Sequence, residues 1–488
     1  MTSTVPADQP VEVDPNRWRA LVVIAIAQLM IVLDASIVNI ALPSIQADLG
    51  ISDADRQWAV TAYTLAFGSL LLLGGRIADY GGRKRVFIIG LAGFAVASAL
   101  GGLATNATML YAARGLQGVF AALLAPAALS LISVTFTDSK ERAKAFGVYG
   151  ALSGGGAAIG LVLGGILTEY ASWHWCFLVN VPIALLAIGL AIPYVRESRA
   201  SGNTKYDIPG AITATTGLFC LVFGITKAES DGWNGTSTLT FLAISVVLLF
   251  VFLFIEYKST HPLLPLKIVL ERNRGGAYLS SFFVGVGLFS MFLFISYFFQ
   301  AVLQYSPLTS GLLFLPFSAG VIISAGIASQ LLPRFGPRWV TFFGFVLAVI
   351  GMSLYIFLQP DSTYVANILP SIILMSLGMG LIFVPLSATA LYAVSDHDTG
   401  VASAVLNTAQ QIGGSIGIAF LNTIAASATT AYIVANQLQG PNPDALVAGF
   451  TTTFVWSTGI LAVAGIIWVV LVNITKKDLS KHDVAAAF

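Results

Sequence analysis

Fourteen apolar runs, each long enough to cross a bilayer, follow one another along the 488 residues of this chain. They lie near 19–43, 57–77, 86–104, 108–132, 145–168, 175–195, 208–227, 237–256, 275–302, 309–331, 338–358, 365–391, 399–426 and 448–473. A hydrocarbon core of about 30 Å is crossed by about 20 helical residues. Lipid gives the backbone no hydrogen-bond partner, so only helices and closed barrels span it. These runs are too long and too uniformly apolar for barrel strands. The expected fold class is an all-α polytopic membrane protein with 14 transmembrane helices.

Composition then removes other classes. Charged residues are 10% of the chain, whereas a soluble domain of this size carries about 25%. The net charge of +1 and the lack of a basic face give no reason to expect a nucleic-acid partner. No Walker A loop is present, so ATP is not expected as the energy source. Four scattered histidines and two cysteines, Cys176 and Cys220, show no metal or redox spacing. No cofactor is expected, and no nucleophile–base pair stands out in the spans, so no enzyme is expected. Gly413–Gly417 fits G-x-S-x-G, but it sits inside an apolar helix rather than at a strand-to-helix turn. The first apolar run is longer than a signal-peptide core and reads as a retained span.

Loop charge sets the orientation. With a cytoplasmic N-terminus, all of the 24 Lys and Arg residues except Arg56, Arg114 and Lys227 fall on the inside. The positive-inside rule predicts this asymmetry. A missed span would invert every later loop and destroy it. The chain is expected in the plasma membrane with both termini cytoplasmic, as a monomer embedded in lipid.

Long inside segments bracket the seventh and eighth runs. The expected organisation is a tail (1–18), a six-helix bundle (19–195), a linker carrying two helices (196–274), a second six-helix bundle (275–473) and a tail (474–488). A weak repeat supports it: Gly82 through Gly90 (GRKRVFIIG) aligns with Gly336 through Gly344 (GPRWVTFFG), each after the second span of its half. Two pseudo-symmetric halves are a common transporter plan, with substrate bound between them near mid-membrane.

Two charges interrupt the apolar runs. Asp34 is the only charged residue between Arg19 and Asp48, and Arg114 stands alone between Arg85 and Asp138. A carboxylate at bilayer depth costs on the order of 3 kcal/mol and marks function by default. Two readings of Asp34 are compatible: a proton-binding acid, and a helix residue bonded to nearby Ser36 or Asn39. Arg114 either lowers the proton affinity of an acid nearby or pins helices through their carbonyls.

Other residues form patterns at helical spacing. Gly156, Gly160 and Gly164 recur every fourth residue, with Gly165 beside them, as a seam where two helices approach closely and hinge. Asn407, Gln410 and Gln411 lie on one span and are candidates to line a polar cavity, with Asn39 and Gln117. Trp58, Tyr63, Phe289 and Tyr297 are the aromatic candidates for stacking on a flat ligand. Between spans two and three, GGRIADYGGRKR (74–85) places Asp79 among cations. Its carboxylate is expected to latch a cation or a helix N-terminus in one conformation, with Gly75, Gly82, Arg83 and Lys84 completing a gating loop.

These residues resemble the major facilitator superfamily, and within it the fourteen-span drug–proton antiporters of the EmrB/QacA type. LDASIVNIALP (33–43) is similar to that group's first-helix motif, 75–84 to the superfamily's loop motif, and Arg114, Gln117 and Gly118 to its fourth-helix motif. The resemblance implies proton or cationic-substrate binding at Asp34, proton transfer at Arg114 and gating at Asp79 and Arg83. Tyr80 stands where the family usually has a base, and Leu161 where it has a proline. The expected function is proton-coupled antiport exporting lipophilic or cationic small molecules, as multidrug efflux by alternating access. The alternative is a dedicated exporter of one metabolite, antibiotic or lipid; an uncoupled facilitator ranks third.

Overall fold

The computed structural model describes residues 15–474, except 53–54, 137, 200–206, 260–261, 395–398 and 439–441. The tails expected at 1–18 and 474–488 therefore lie largely outside the described residues. The first half comprises α1 (Arg17–Leu49), α2 (Trp58–Gly81), α3 (Arg83–Gly102), α4 (Ala107–Thr135), α5 (Ser139–Tyr170), α6 (His174–Leu178) and α7 (Asn180–Tyr194). A hairpin of α8 (Ile208–Asp231) and α9 (Thr236–Lys258) and a short α10 (Leu266–Val269) lead to the second half. That half comprises α11 (Arg272–Tyr297), α12 (Pro307–Leu313), α13 (Leu315–Leu354), α14 (Leu369–Ala390), α15 (Thr399–Ala435) and α16 (Pro443–Leu471).

Among the described residues, 12 helices are long and apolar enough to cross a membrane. One of them, Pro307–Phe357, has 51 residues, more than twice what a span of about 20 needs. It breaks at Gly336 (φ 79°, ψ 164°), and both limbs pack on α14: Gly320 meets Ser376, and Gly351 meets Met375. The 32-residue α5 adds one more limb, of which Ile159–Tyr170 is apolar and described. The chain is an all-α polytopic membrane protein of fourteen long helical limbs, two bundles with a linker hairpin. Within the hairpin, α8 packs on α2 and α15, while α9 leaves Phe250, Leu253 and Phe254 exposed, as lipid contact requires.

Local sequence explains the helix ends. Asn106, Asp207, Ser306 and Asn442 each accept a backbone N–H in the first turn of α4, α8, α12 and α16. Pro307 and Pro443 then occupy first-turn positions where no N–H is needed. The repeat has a structural meaning: Gly82 (φ 106°) and Gly336 (φ 79°) are left-handed pivots between consecutive limbs. Gly90 then faces Leu124 of α4, and Gly344 faces Gly378 of α14, at equivalent close crossings.

Span one does not end at Pro43. Helix α1 runs through it to Leu49 and is closed by Gly50 in the left-handed conformation (φ 61°). A proline inside a helix removes the N–H that would bond the carbonyl four residues earlier, here Asn39. Ser296 Oγ donates to that carbonyl at 2.8 Å, and Gln300 Nε2 donates to Ile40 O at 3.0 Å. The helix defect thus becomes an acceptor for the opposite bundle.

These bonds belong to a larger closure. Tyr297 OH donates to Gln46 Oε1 at 2.6 Å, and the Arg56 guanidinium lies 4.0 Å from the Tyr297 ring centre. Arg56 Nε also donates to Asn422 Oδ1 (3.2 Å), and Leu308 N to Glu169 Oε2 (3.1 Å). Thr64 and Ser415 hydroxyls meet at 2.6 Å nearer mid-membrane. These hydrogen bonds between the bundles run from there to the end opposite the termini. The molecule is closed at that end.

The glycine seam is a helix crossing. Gly156 faces Leu29 and Val32, Gly160 faces Leu33 and Ser36, and Gly164 faces Ile37, so α5 lies directly on α1. Gly165 instead faces Pro307 and Leu308 of the other half, and Gly311 faces Leu161. Leu161, the residue that replaces the family's proline, is buried at that junction.

Gly160→Val is expected to force α1 and α5 apart and lower stability by about 1–3 kcal/mol. A melting temperature in detergent equal to the parent's would refute the crossing. Tyr297→Ala removes a desolvated cation–π contact worth about 2 kcal/mol, so the closed end should open by roughly 30-fold in equilibrium terms. Spin-label distances between the ends of α1 and α11 should lengthen; an unchanged distribution would mean that this contact does not hold the closure.

Candidate functional site

Asp34 sits in the middle of α1 with no exposed surface, and its partners come from other helices. Arg114 Nη1 of α4 donates to Oδ2 at 2.6 Å. Gln117 Nε2, one turn further along α4, donates to Oδ1 at 2.8 Å, and Asn180 Nδ2 of α7 donates to the same oxygen at 2.9 Å. Ser36 and Asn39 are not partners: their side chains donate to the Val32 and Ala35 carbonyls of α1. The local-bonding reading of Asp34 fails because a helix directs both side chains back to their own preceding turn.

A second ring of contacts fixes the donors. Gln117 Nε2 also reaches Ser98 Oγ of α3 at 2.7 Å, and Gln117 Oε1 accepts from Arg114 Nη1 at 2.8 Å. Arg114 Nε donates to Ala59 O of α2 at 2.8 Å, and its guanidinium lies 4.4 Å from the Tyr63 ring centre. Arg114 thus pairs with the acid and pins α2 through a carbonyl. Five helices of one bundle converge on a single carboxylate. Charge-assisted bonds of this kind are short and strong, and a buried pair holds only when its remaining atoms are also bonded.

The structure does not bring all the residues expected along a substrate cavity together. Gln117 and Tyr63 belong to the Asp34 network. Trp58 packs on Phe219 and Phe223 of α8, with ring centres 6.1 Å apart in each case. Asn39 and Tyr297 stand in the closure between bundles. The remaining four do gather along α11 and α15: Phe289 lies against Gly414, Gln411 against Gly68 of α2, Gln410 against Gly285, and Asn407 is exposed. An apolar groove between α13 and α16, lined by Phe342, Val349, Ile466 and Val469, is far from this chemistry and has the character of a lipid-facing surface.

In the loop between α2 and α3, Asp79 Oδ1 accepts from Arg83 Nε (3.0 Å) and Nη2 (2.8 Å). The N-terminus of α3 is held by another acid. Glu197, after α7, accepts from the backbone N–H of Lys84 (3.1 Å) and Arg85 (3.2 Å). Lys84 Nζ in turn donates to Ile192 O at 2.6 Å. A Cβ at Gly82 would meet the Glu197 carboxylate, and Gly75 rests on Pro126. Tyr80 accepts a bond from Arg76 (3.3 Å), so the position that departs from the family pattern still engages the loop's cations. At the same end Arg17 bonds Glu141 through two nitrogens (2.7 and 2.9 Å), which holds that surface carboxyl below its ordinary range.

Sequence reasoning did not assign roles to Asn180, Ser98, Glu197 or Arg56. Asn180 had a readable signal, an amide between two valines just before Pro182. Ser98 and Glu197 had none.

Removing Arg114 leaves a buried carboxylate without its cation, so Arg114→Ala should cost about 3–5 kcal/mol. Asp34→Asn keeps the shape and should cost less. The double variant should be more stable than Arg114→Ala alone, as measured by melting in detergent. Additive losses would show that the two groups do not act as a pair.

Comparison with known proteins agrees with this architecture. The family model described as Major Facilitator Superfamily matches residues 24–418. The puromycin resistance protein pur8 of Streptomyces alboniger is 46% identical over 466 residues, covering 94% of this chain and 92% of that protein. The cephamycin export protein CmcT of Amycolatopsis lactamdurans is 36% identical over 415 residues, covering 84% and 85%. The tetracenomycin C resistance and export protein of Streptomyces glaucescens is 34% identical over 416 residues, covering 84% and 76%. Among solved structures, a bacterial homologue of the human lysosomal transporter Spinster, inward-facing and unoccupied, superposes with a TM-score of 0.66 at 17% identity, covering 95% of this chain and 98% of that one. With its two helical bundles, its linker hairpin and these relatives, the chain belongs to the major facilitator superfamily of secondary-active membrane transporters.

Proposed function

We propose that this transporter is a proton-coupled antiporter dedicated to exporting one antibiotic-class metabolite. The observation that carries the proton reading is the Asp34 carboxylate, sealed inside the first bundle and held by Arg114, Gln117 and Asn180. Protonation would neutralise the charge that Arg114 balances, and the network would have to rearrange. A ligand moves the alternating-access equilibrium only by its differential affinity for the two states. A carboxylate shared by five packed helices would provide such a difference on binding a proton.

The dedicated reading is favoured over broad efflux by the relatives. Four of them are named for single compounds: puromycin, cephamycin, tetracenomycin C and, in Streptomyces lincolnensis, lincomycin; Stp of Mycobacterium tuberculosis, 31% identical, is named for multidrug resistance. Puromycin is the first compound to test, because pur8 shares 46% of its residues with this chain over 466 positions. The fourteen limbs support placement with the fourteen-span drug–proton antiporters. Loop charge supports cytoplasmic termini, which makes the closed end the outside and this conformation inward-facing. The hairpin of α8 and α9 supports the division into 19–195, 196–274 and 275–473. Substrate would lie beside Phe289, Asn407, Gln410 and Gln411, with Asp79, Arg83 and Lys84 gating the inner end.

Proteoliposomes with an imposed pH gradient test the proposal. Uphill movement of puromycin, but not of lincomycin or cephamycin, is expected, and it should stop when the gradient is collapsed or with Asp34→Asn. Uphill transport by a folded Asp34→Asn variant at the parental rate would overturn the proton assignment. Equal transport of all three compounds would replace the dedicated reading with broad efflux, and gradient-independent flux would indicate a facilitator.

A further inference from the structure

A second group of buried acids stands outside the Asp34 network, at the base of the linker hairpin. Asp207 immediately precedes α8, and its Oδ1 caps that helix by accepting Gly210 N at 2.8 Å. Glu256 lies in the last turn of α9, and its Oε2 accepts Leu264 N at 2.9 Å. Both residues are more than nine-tenths buried, at 8% and 3% exposure. Each has one oxygen left over, Asp207 Oδ2 and Glu256 Oε1, and neither finds a hydrogen-bond donor. Because α8 and α9 pack on each other as a hairpin, the start of one and the end of the other bring the two carboxyl groups together at its base.

Two ionised carboxylates cannot satisfy one another, because both only accept. Buried side by side, they cannot both keep their charge without a cation. Among the described residues, the facing groups supply none. From α8 the titratable group is Asp207 itself. The segment after α9 presents the backbone N–H groups of Leu263 and Leu264. On α9, Lys258 lies over the Phe254 ring and Tyr257 is exposed. The nearest cation on α2, Arg76, donates to Pro262 O (3.4 Å) and Tyr80 OH. Among the described residues, neither acid has an ion pair.

We propose that Asp207 and Glu256 form a second proton-binding site, a carboxyl pair sharing one proton between Asp207 Oδ2 and Glu256 Oε1. No bond other than O–H changes: the proton comes from water and returns to it. The consequence is mechanical. The pair joins the two hairpin helices and anchors the segment at Leu264. That segment is held at Pro262 by Arg76 of the first bundle, and Arg274 of the second bundle donates to Ile268 O at 3.0 Å. Loss of the shared proton sets two negative charges against each other where this strap is fastened, and loosens it.

Infrared difference spectroscopy on the full-length protein in nanodiscs tests this without any transport assay, so its failure and that of the antiport reading are separable. A neutral-carboxyl C=O band is expected at mildly acidic pH. It should survive Asp34→Asn, vanish in Glu256→Gln and fade as pH rises. Over the same pH range the parent's melting temperature should fall, while Glu256→Gln, whose amide donates to Asp207 at every pH, should stay level. Should Glu256→Gln fold poorly, Asp207→Asn gives the same pair of readouts. The proposal is overturned if no neutral-carboxyl band depends on Glu256 or Asp207, or if the parent and variant melting curves run parallel with pH. Stabilisation by Na⁺ or Mg²⁺ that is lost in Glu256→Gln, without the band, would show a cation in place of the proton and also overturn it.

Discussion

The ion pair between Asp34 and Arg114 is the constraint around which the first bundle is assembled. Neither charge is tolerable at bilayer depth alone, so α1 and α4 must meet where the two groups meet. Gln117, Asn180, Ser98 and the Ala59 carbonyl then draw α3, α7 and α2 to the same point. The close α1–α5 crossing, made possible by Gly160 and Gly164, leaves α1 no room to drift. The second bundle has no such centre. Between Gly275 and Pro333, between Trp339 and Pro360 and between Ser362 and Ser395 the chain contains no Asp, Glu, Lys or Arg. Its packing is apolar, with hydroxyls bonded to backbone. This asymmetry fits the proposed function, with the buried ion pair in one half and the Gln-bearing α15 contributed by the other.

Prolines give the two halves places to touch. Pro43 leaves the Asn39 carbonyl without its helical donor, and Ser296 of the opposite bundle takes that place. Pro126 frees a carbonyl within the first bundle: that of the residue four positions earlier, Ala122 O, is where Gly74 of α2 packs closely. At Pro43, a residue that weakens one helix creates an acceptor for another. A contact of this kind is easier to release than an interdigitated apolar seam, because water or a helix adjustment can satisfy the carbonyl once the partner leaves. Alternating access needs interfaces of that type at the end that opens.

The charge cluster at the termini end is also more specific than its composition. Asp79 engages Arg83 within its own loop, while Glu197 fastens the loop to the segment after α7 by capping α3. Gly82 is required twice over, by its positive φ and by the carboxylate lying where a Cβ would be. The loop is thereby anchored to the end of its own bundle. The linker strap through Pro262 and Leu264 approaches it from the other side through Arg76.

Much of this molecule was legible from the chain alone. The apolar runs and the glycine pivots at Gly82 and Gly336 depend on residues within one span of each other, and helical period and bilayer thickness convert such local patterns directly into structure. Asp34 and Arg114 stood out for the same reason, since a charge inside an apolar run is visible without knowing its neighbours. Their partners were not visible. Gln117 and Tyr63 read as cavity residues, Tyr297 as a stacking platform, and Asn180, Ser98 and Glu197 carried no assignment. Each acts through a hydrogen bond or ring contact to a helix far away in sequence, and no periodicity encodes which helix that is. The amino-acid sequence determined the solvent, the number of limbs and the charges that had to be buried. Only the tertiary packing decided what those charges met, because contact across a bundle depends on how whole helices cross, and that is set by the sum of all their surfaces.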